Sequence, residues 1–205
     1  MVYRNLIILF GDQLSDAISS LNDFDKQQDR ILMMEVADEA TYVRHHKQKL
    51  VFVFSAMRHF AQYLQEKGMQ LDYITLMSKR SRGSFLKTVR AYLSEKPAQK
   101  IIVTEPSEYR VLHDVRSNWR FGIDVEIRED DRFFCTQQEF KAYAKQHPTL
   151  RMEYFYRYMR KKTGILMLEG QPVGGKWNYD QQNREPYDEK INIAKPIRSG
   201  IDDIT

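Results

Sequence analysis

Residues 4–13 read RNLIILFGDQ. The unbroken apolar run from Leu6 to Phe10 lacks the alternation of a half-exposed strand and is too short for a helix. Closed by Gly11-Asp12-Gln13, it predicts a first strand buried on both faces, the mark of a parallel sheet covered by helices. Residues 30–36 (RILMMEV) repeat the pattern. Asp38 then stands where it can cap a long helix running to Gly68, with Val43, the Lys47 stem, Leu50, Phe54, Met57, Ala61 and Leu64 at three- and four-residue steps. A strand at 70–76 (QLDYITL), a helix at 84–95 stopped before Pro97 and a strand at 100–104 (KIIVT) follow. Pro106 suits a first helical turn, which predicts a helix over 106–121, and residues 123–128 (IDVEIR) make a fifth strand.

Strand and helix in strict alternation imply right-handed crossovers and therefore an α/β fold: a Rossmann-like, doubly wound, five-stranded parallel sheet of order 3-2-1-4-5. After the fifth strand the alternation stops. Thr136-Gln137-Gln138-Glu139 is a capping-box pattern for a helix to Gln146, where His147-Pro148 ends it. A second helix covers 150–163, with Met152, Phe155, Tyr156 and Met159 on one stripe. Gly164, Pro172, Gly174 and Gly175 then predict an extended tail. The organisation expected is a Rossmann-like domain over 1–135, a helical pair over 136–163 packed on it, and a linker or tail over 164–205.

Composition bounds the function. The 205 residues are 42% apolar and 29% charged, ordinary for a soluble domain, and no run approaches the roughly 20 apolar residues that span a bilayer. Gly-Asp-Gln after the first apolar run replaces the small-residue site of a signal peptide, so the expected location is cytoplasmic. Cys135 is the single cysteine, which excludes an internal disulfide and a four-thiolate iron-sulfur cluster within this chain. Lys and Arg total 32 against 28 Asp and Glu, a net charge of +4, and this balance does not by itself make a nucleic-acid binder.

An open parallel sheet binds ligands beyond its strand C-termini, at the switch point where adjacent connections leave for opposite faces. In the predicted order that crevice lies between strands one and four. It receives Gly11, Asp12, Gln13 and Leu14 from strand one, Glu105 and Pro106 from strand four, and residues 35–42 beside them. The chain has neither G-x-G-x-x-G nor G-x-x-x-x-G-K-[ST], so a dinucleotide or triphosphate is disfavoured. A polar, acidic rim with one glycine suits an uncharged heterocycle bearing hydroxyls: Gln offers donor and acceptor to a ring edge, Asp and Glu accept from O–H groups, and Tyr42 or Phe10 can face a ring. The plainer alternative is that Asp12 caps the next helix and Glu39 complements a helix N-terminus. His45 and His46 diverge on a helix and cannot share a metal. Glu126, Glu129, Asp130 and Asp131 read as a solvated turn, and neither Ser107 nor Cys135 has a local base. Residues 151–198 carry ten Lys and Arg against six Asp and Glu, interleaved with Tyr154, Phe155, Tyr156, Tyr158, Trp177 and Tyr179. That pattern serves a docking surface for another domain, core packing, or contact with nucleic acid.

Taken in order, FGDQL (10–14), EVADEATYVRHHKQKL (35–50), FSAMRHFA (54–61), TEPSEYR (104–110), REDDRFF (128–134), RMEYFYRYMR (151–160) and PVGGKWNYDQQNR (172–184) resemble the N-terminal part of the photolyase-related proteins, also called iron-sulfur bacterial cryptochromes and photolyases. The resemblance implies an antenna domain followed by a linker and a helical domain that holds FAD and a 4Fe-4S cluster, in a light-driven (6-4) DNA photolyase or a cryptochrome photoreceptor. It implies a site here for the antenna 6,7-dimethyl-8-ribityllumazine. Gly11, Asp12, Gln13 and Leu14 match the first loop, and Met34, Glu35, Glu39 and Tyr42 match the end of the second strand and its helix; Glu105 comes from the switch-point argument. It further implies that the chain stops within the linker after Asn183-Arg184, is inactive alone, and takes as partners the C-terminal FAD and iron-sulfur domain and, through the full-length protein, damaged DNA, with no membrane. The readings set against it are a stand-alone Rossmann-like nucleotide-binding protein and a DNA or protein interaction module using the basic aromatic tail.

Overall fold

The computed structural model describes residues 2–180, 186, 188, 190–198 and 200–204. Five parallel strands, β1 (Tyr3–Leu9), β2 (Arg30–Met34), β3 (Leu71–Ile74), β4 (Ala98–Thr104) and β5 (Asp124–Arg128), form one sheet in the order β3-β2-β1-β4-β5. β1 is central: Ile7 pairs with Ile31 on one side and Ile102 on the other. Its side chains divide between two cores. Leu6 and Ile8, with Phe10 just beyond the strand, join one apolar cluster, and Ile7 and Leu9 the other. Both faces of β1 are therefore dry, which is why its sequence shows no polar alternation.

The helices divide in the same way. α2 (Lys47–Glu66) buries Met57, Ala61 and Leu64 in the second cluster, while α3 (Phe85–Glu95) and α4 (Tyr109–Asn118) contribute Val89, Tyr92, Val111 and Val115 to the first. Ser84 caps α3 by accepting from the Lys87 N–H. The connections that move outward to β2 and β3 thus cover one face and those that return to β4 and β5 cover the other, which sets the switch point beside β1.

The single helix expected from Asp38 to Gly68 is two. A short α1 (Ala37–Thr41) ends at Tyr42, and α2 begins at Lys47. His46 is extended (φ −66°, ψ 139°), and its ring Nδ1 accepts from the Gln48 N–H at 3.2 Å. An imidazole therefore supplies the cap that restarts the helix, and Asp38 lies inside α1. Gly68 ends α2 as expected, at φ 77°. α4 also starts later than Pro106 suggests, with Glu108 at its N-cap.

The chain divides into two compact units, Met1–Arg132 with Ile201–Thr205, and Phe133–Gly200. In the second, α5 (Gln137–Gln146) opens on a complete capping box between Thr136 and Glu139, and α6 (Met152–Thr163) closes on Gly164 at φ 71°. The segment after Gly164 is not simply extended. Met167–Leu168 and Gln171–Pro172 pair antiparallel around Glu169-Gly170, both at positive φ, the two-residue hairpin geometry. Of the linker or tail expected over 164–205, the Asn183-Arg184 stretch lies outside the described residues.

Candidate functional site

A cleft of about 540 Å³ opens at the C-terminal ends of the strands. Phe10, Gly11 and Asp12 come from the end of β1, Met34, Glu35 and Val36 from the end of β2, and Glu39, Ala40, Tyr42 and His45 from α1 and the turn after it. Lys49, Leu50, Val53, Phe54 and Met57 of α2 form another wall, and Phe85, Pro106, Ser107, Glu108 and Val111 complete it. Of the expected residues, Gly11, Asp12, Met34, Glu35, Glu39 and Tyr42 meet here; Gln13, Leu14 and Glu105 are not part of the lining.

Each side chain has a physical reason for its place. At Gly11 a Cβ would stand 2.9 Å from Met57 Sδ and 3.6 Å from Val53 Cγ1, so a larger residue would displace the Met57 side chain, and the backbone angle there is an ordinary one. Asp12 is exposed at the mouth. It caps no helix: the next element is the short turn Ser19–Leu21, whose N-cap is Ile18. Among the described residues its carboxylate makes no hydrogen bond or ion pair, and Arg132 binds its carbonyl oxygen at 2.7 Å instead.

Gln13 has no solvent exposure, and its amide joins strand ends. Nε2 donates to the carbonyls of Thr104 (3.1 Å) and Glu105 (3.5 Å), while Oε1 accepts from the Phe10 N–H (3.4 Å). The donor and acceptor expected to read a ring edge instead tie β1 to β4. Leu14 packs against the second core. Glu105 pairs with Arg116 at 3.1 Å, and its own N–H donates to the Arg128 carbonyl.

Glu35 is buried to 1% exposure and its carboxylate is fully occupied. Arg58 donates to both oxygens (2.7 and 3.1 Å), Tyr73 Oη to one (2.8 Å) and the Leu76 N–H to the other (2.8 Å). Burial by itself would raise this carboxyl; the Arg58 guanidinium, the Leu76 amide and the Tyr73 hydroxyl outweigh it and hold the group below its ordinary range. Glu35 therefore anchors the cleft floor. Glu39, on α1, takes two hydrogen bonds from Arg110 of α4, at 2.9 and 2.6 Å. The same guanidinium lies 4.3 Å from the centre of the Tyr42 ring, and Tyr42 meets His45 edge-on at 5.1 Å. Acidic residues in the first turn of α1 also suit its dipole, so Glu39 complements that helix N-terminus and at the same time lines the cleft.

Sequence reasoning assigned Leu50, Phe54 and Met57 to the core stripe and left Val53, Ser107 and Glu108 aside. Phe54, Met57, Ala61 and Leu64 of that stripe do pack in the second core, but Leu50 joins neither core cluster, Lys47 is exposed, and Val43 is exposed and precedes α2. Leu50, Val53, Phe54 and Met57 line the cleft, and no periodicity separates the two roles. The adjacent histidines do not converge: His46 caps α2 while His45 accepts Lys49 Nζ at 3.2 Å. The acidic turn is less solvated than its run of charge implies, since Glu126 binds Lys100 and Arg128, and Asp130 binds Arg132.

In the second unit the basic and aromatic residues largely serve one another. Phe155 and Tyr158 pack with Tyr143 of α5, and Phe155 also meets Phe140. Glu153 and Arg157 form the expected salt bridge, and Lys162 pairs with Glu139. Arg160 is 4% exposed, binds the carbonyls of Ile165 and Leu166, and lies 5.3 Å from the Trp177 ring centre. It fastens the turn after α6.

The family model for deoxyribodipyrimidine photo-lyase-related proteins matches residues 7–205. The chain belongs to this family. A (6-4) photolyase of Agrobacterium fabrum (strain C58 / ATCC 33970) is 46% identical over 182 residues, which cover 88% of this chain and 36% of the relative. The chain thus spans about a third of that photolyase's length. Uncharacterized protein R852 of Acanthamoeba polyphaga mimivirus is 24% identical over 200 residues, covering 93% of this chain and 99% of that protein. Among the described residues, no helix of this family member is long and apolar enough to cross a membrane.

Proposed function

We propose that the chain is the antenna domain of a photolyase-related protein, binding 6,7-dimethyl-8-ribityllumazine in the strand-tip cleft. The cleft itself carries this reading. Its volume of about 540 Å³ suits a small heterocycle. Phe10, Met34, Phe54 and Met57 offer aromatic and thioether surface to the faces of a flat ring. Asp12, Glu39 and Glu108 offer acceptors to a hydroxylated chain, and Gly11 lets backbone approach closely. Bound there, the lumazine supplies absorption of blue light; the residues of this chain hold it, orient it and exclude water. A flavin belongs, in this proposal, to another part of a longer protein, and so does an iron-sulfur cluster, because one cysteine cannot supply four thiolates. DNA repair, the naming activity of the Agrobacterium relative, is likewise proposed for the whole protein, as is a cytoplasmic location.

A second reading, a self-standing ligand-binding protein of the same fold, is favoured by the match to nearly all of protein R852. The interaction-module reading is weakened by the internal pairing of Arg157, Arg160 and Lys162. Titration of the 205-residue chain with the lumazine, followed by ligand fluorescence, tests the proposal. Saturable binding is expected. Asp12→Ala with Glu39→Ala should weaken it roughly tenfold or more, the loss of two acceptors, and Val53→Trp should block it by filling the cleft. Absence of saturation, or equal binding by the folded double variant, would count against the site.

A further inference from the structure

α1 has five residues, none of them buried, and its N-cap residue, Val36, offers no side-chain acceptor. A helix so short, without an apolar anchor, does not hold itself in water. Yet this segment and the turn after it form one rim of the cleft. Among the described residues, it is fastened by a hydrogen bond from the Asp38 N–H to the Gly83 carbonyl at 2.9 Å and by one from Lys49 Nζ of α2 to the His45 ring at 3.2 Å; the contacts to Glu39 and Tyr42 from across the cleft come from one residue on α4. Arg110 binds both oxygens of Glu39, covers the Tyr42 ring at 4.3 Å and reaches Glu108 with Nε at 3.1 Å. Glu39, Tyr42 and Glu108 line the cleft; Arg110 ties one rim to the other.

We propose that Arg110 is a positioning residue that latches the cleft, fixing Glu39 and Tyr42 against the bound heterocycle so that ligand leaves only when the latch opens. The inference rests on the chromophore-binding role proposed above. A guanidinium held by a bidentate carboxylate, a second carboxylate and an aromatic face has one preferred geometry, which a lysine ammonium cannot reproduce. Each carboxylate oxygen has two acceptor sites, so Glu39 can keep Arg110 and still accept a ribityl hydroxyl. The latch is partly exposed, with Arg110 at 43% and Glu39 at 24% side-chain exposure, so salt weakens it.

Stopped-flow displacement of 6,7-dimethyl-8-ribityllumazine from the 205-residue chain, with hydrogen exchange of the ligand-free chain alongside, tests this. In Arg110→Ala, release is expected to be about three- to thirtyfold faster and to lose most of its salt dependence, with Arg110→Lys between the two. Exchange at the amides of residues 38–45 should quicken in Arg110→Ala while β1, β2 and β4 stay protected. Release rates and salt response unchanged in Arg110→Ala would overturn the latch. So would unchanged exchange at 38–45, even if the unmodified chain takes up no lumazine; that failure to bind would overturn the chromophore reading, and quickened exchange beside it would keep Arg110 as the fastening of the rim.

Discussion

Position 35 holds a carboxylate with no exposed side-chain surface, and the four hydrogen bonds it accepts make it a support for the cleft rather than a ligand acceptor. Glu35→Gln should cost about 2–3 kcal/mol in urea unfolding, because an amide accepts through one oxygen and points a donor at Arg58. The pH dependence follows from the depressed carboxyl. In the unfolded chain Glu35 titrates near its ordinary ~4.3, and in the folded chain lower. Its contribution is complete above the unfolded value and is lost as pH falls through the folded one. Unfolding measured from pH 7 to pH 3 should therefore decline less steeply in Glu35→Gln than in the parent chain. Gln13 teaches the same lesson with a neutral group. Gln13→Leu removes the partner of the Thr104 carbonyl and the Phe10 amide in a buried place, and a loss of roughly 1–3 kcal/mol is expected by denaturation. An unchanged midpoint would show that the amide joins nothing.

Among the elements, the strands were legible because their chemistry is local: five short apolar or alternating runs, each ended by polar residues or glycine, fall where the sheet has its strands. The break between α1 and α2 was not legible. Val43 and Lys47 continue the helical spacing, and the imidazole cap of His46 depends on a backbone conformation that no pattern reports. The capping box at Thr136 was legible because both of its partners lie within one turn. Thr136→Ala should destabilise the second unit by about 0.5–2 kcal/mol, read as faster hydrogen exchange in α5 with the five-stranded sheet unaffected. The Glu169-Gly170 hairpin lacked the usual Asn-Gly or Asp-Gly signal, and its strands, of two residues each, are too short for any alternation to show.

For the whole molecule, the fold supplies a strand-tip cleft of about 540 Å³ and a second helical unit. We expect the 205-residue chain neither to bind FAD stoichiometrically nor to repair a (6-4) lesion under blue light. Light-driven repair depends on a positioned flavin, and the chain spans 36% of the length of the Agrobacterium photolyase. Incubation with FAD, reductant and a lesion-bearing oligonucleotide under illumination, followed by counting restored bases, checks this. Repair above the protein-free control would contradict the antenna assignment.

By itself, the sequence carried the sheet and its order, because burial on both faces of β1 forces an unbroken apolar run and right-handed crossovers restrict the alternation that follows to a few doubly wound orders, of which 3-2-1-4-5 is the one found. It also determined the family, since ordered motifs run along nearly the whole chain. Only the tertiary structure decided which polar groups at the strand tips are available to a ligand. Gln13 and Glu35 are engaged by Thr104, Arg58, Tyr73 and Leu76, residues 23 to 91 positions away, and Glu39 by Arg110, 71 positions on. A carboxylate or amide looks the same in a sequence whether its partner is a ligand, a backbone carbonyl or a distant arginine; the difference arises when the crossovers bring those partners within hydrogen-bond reach.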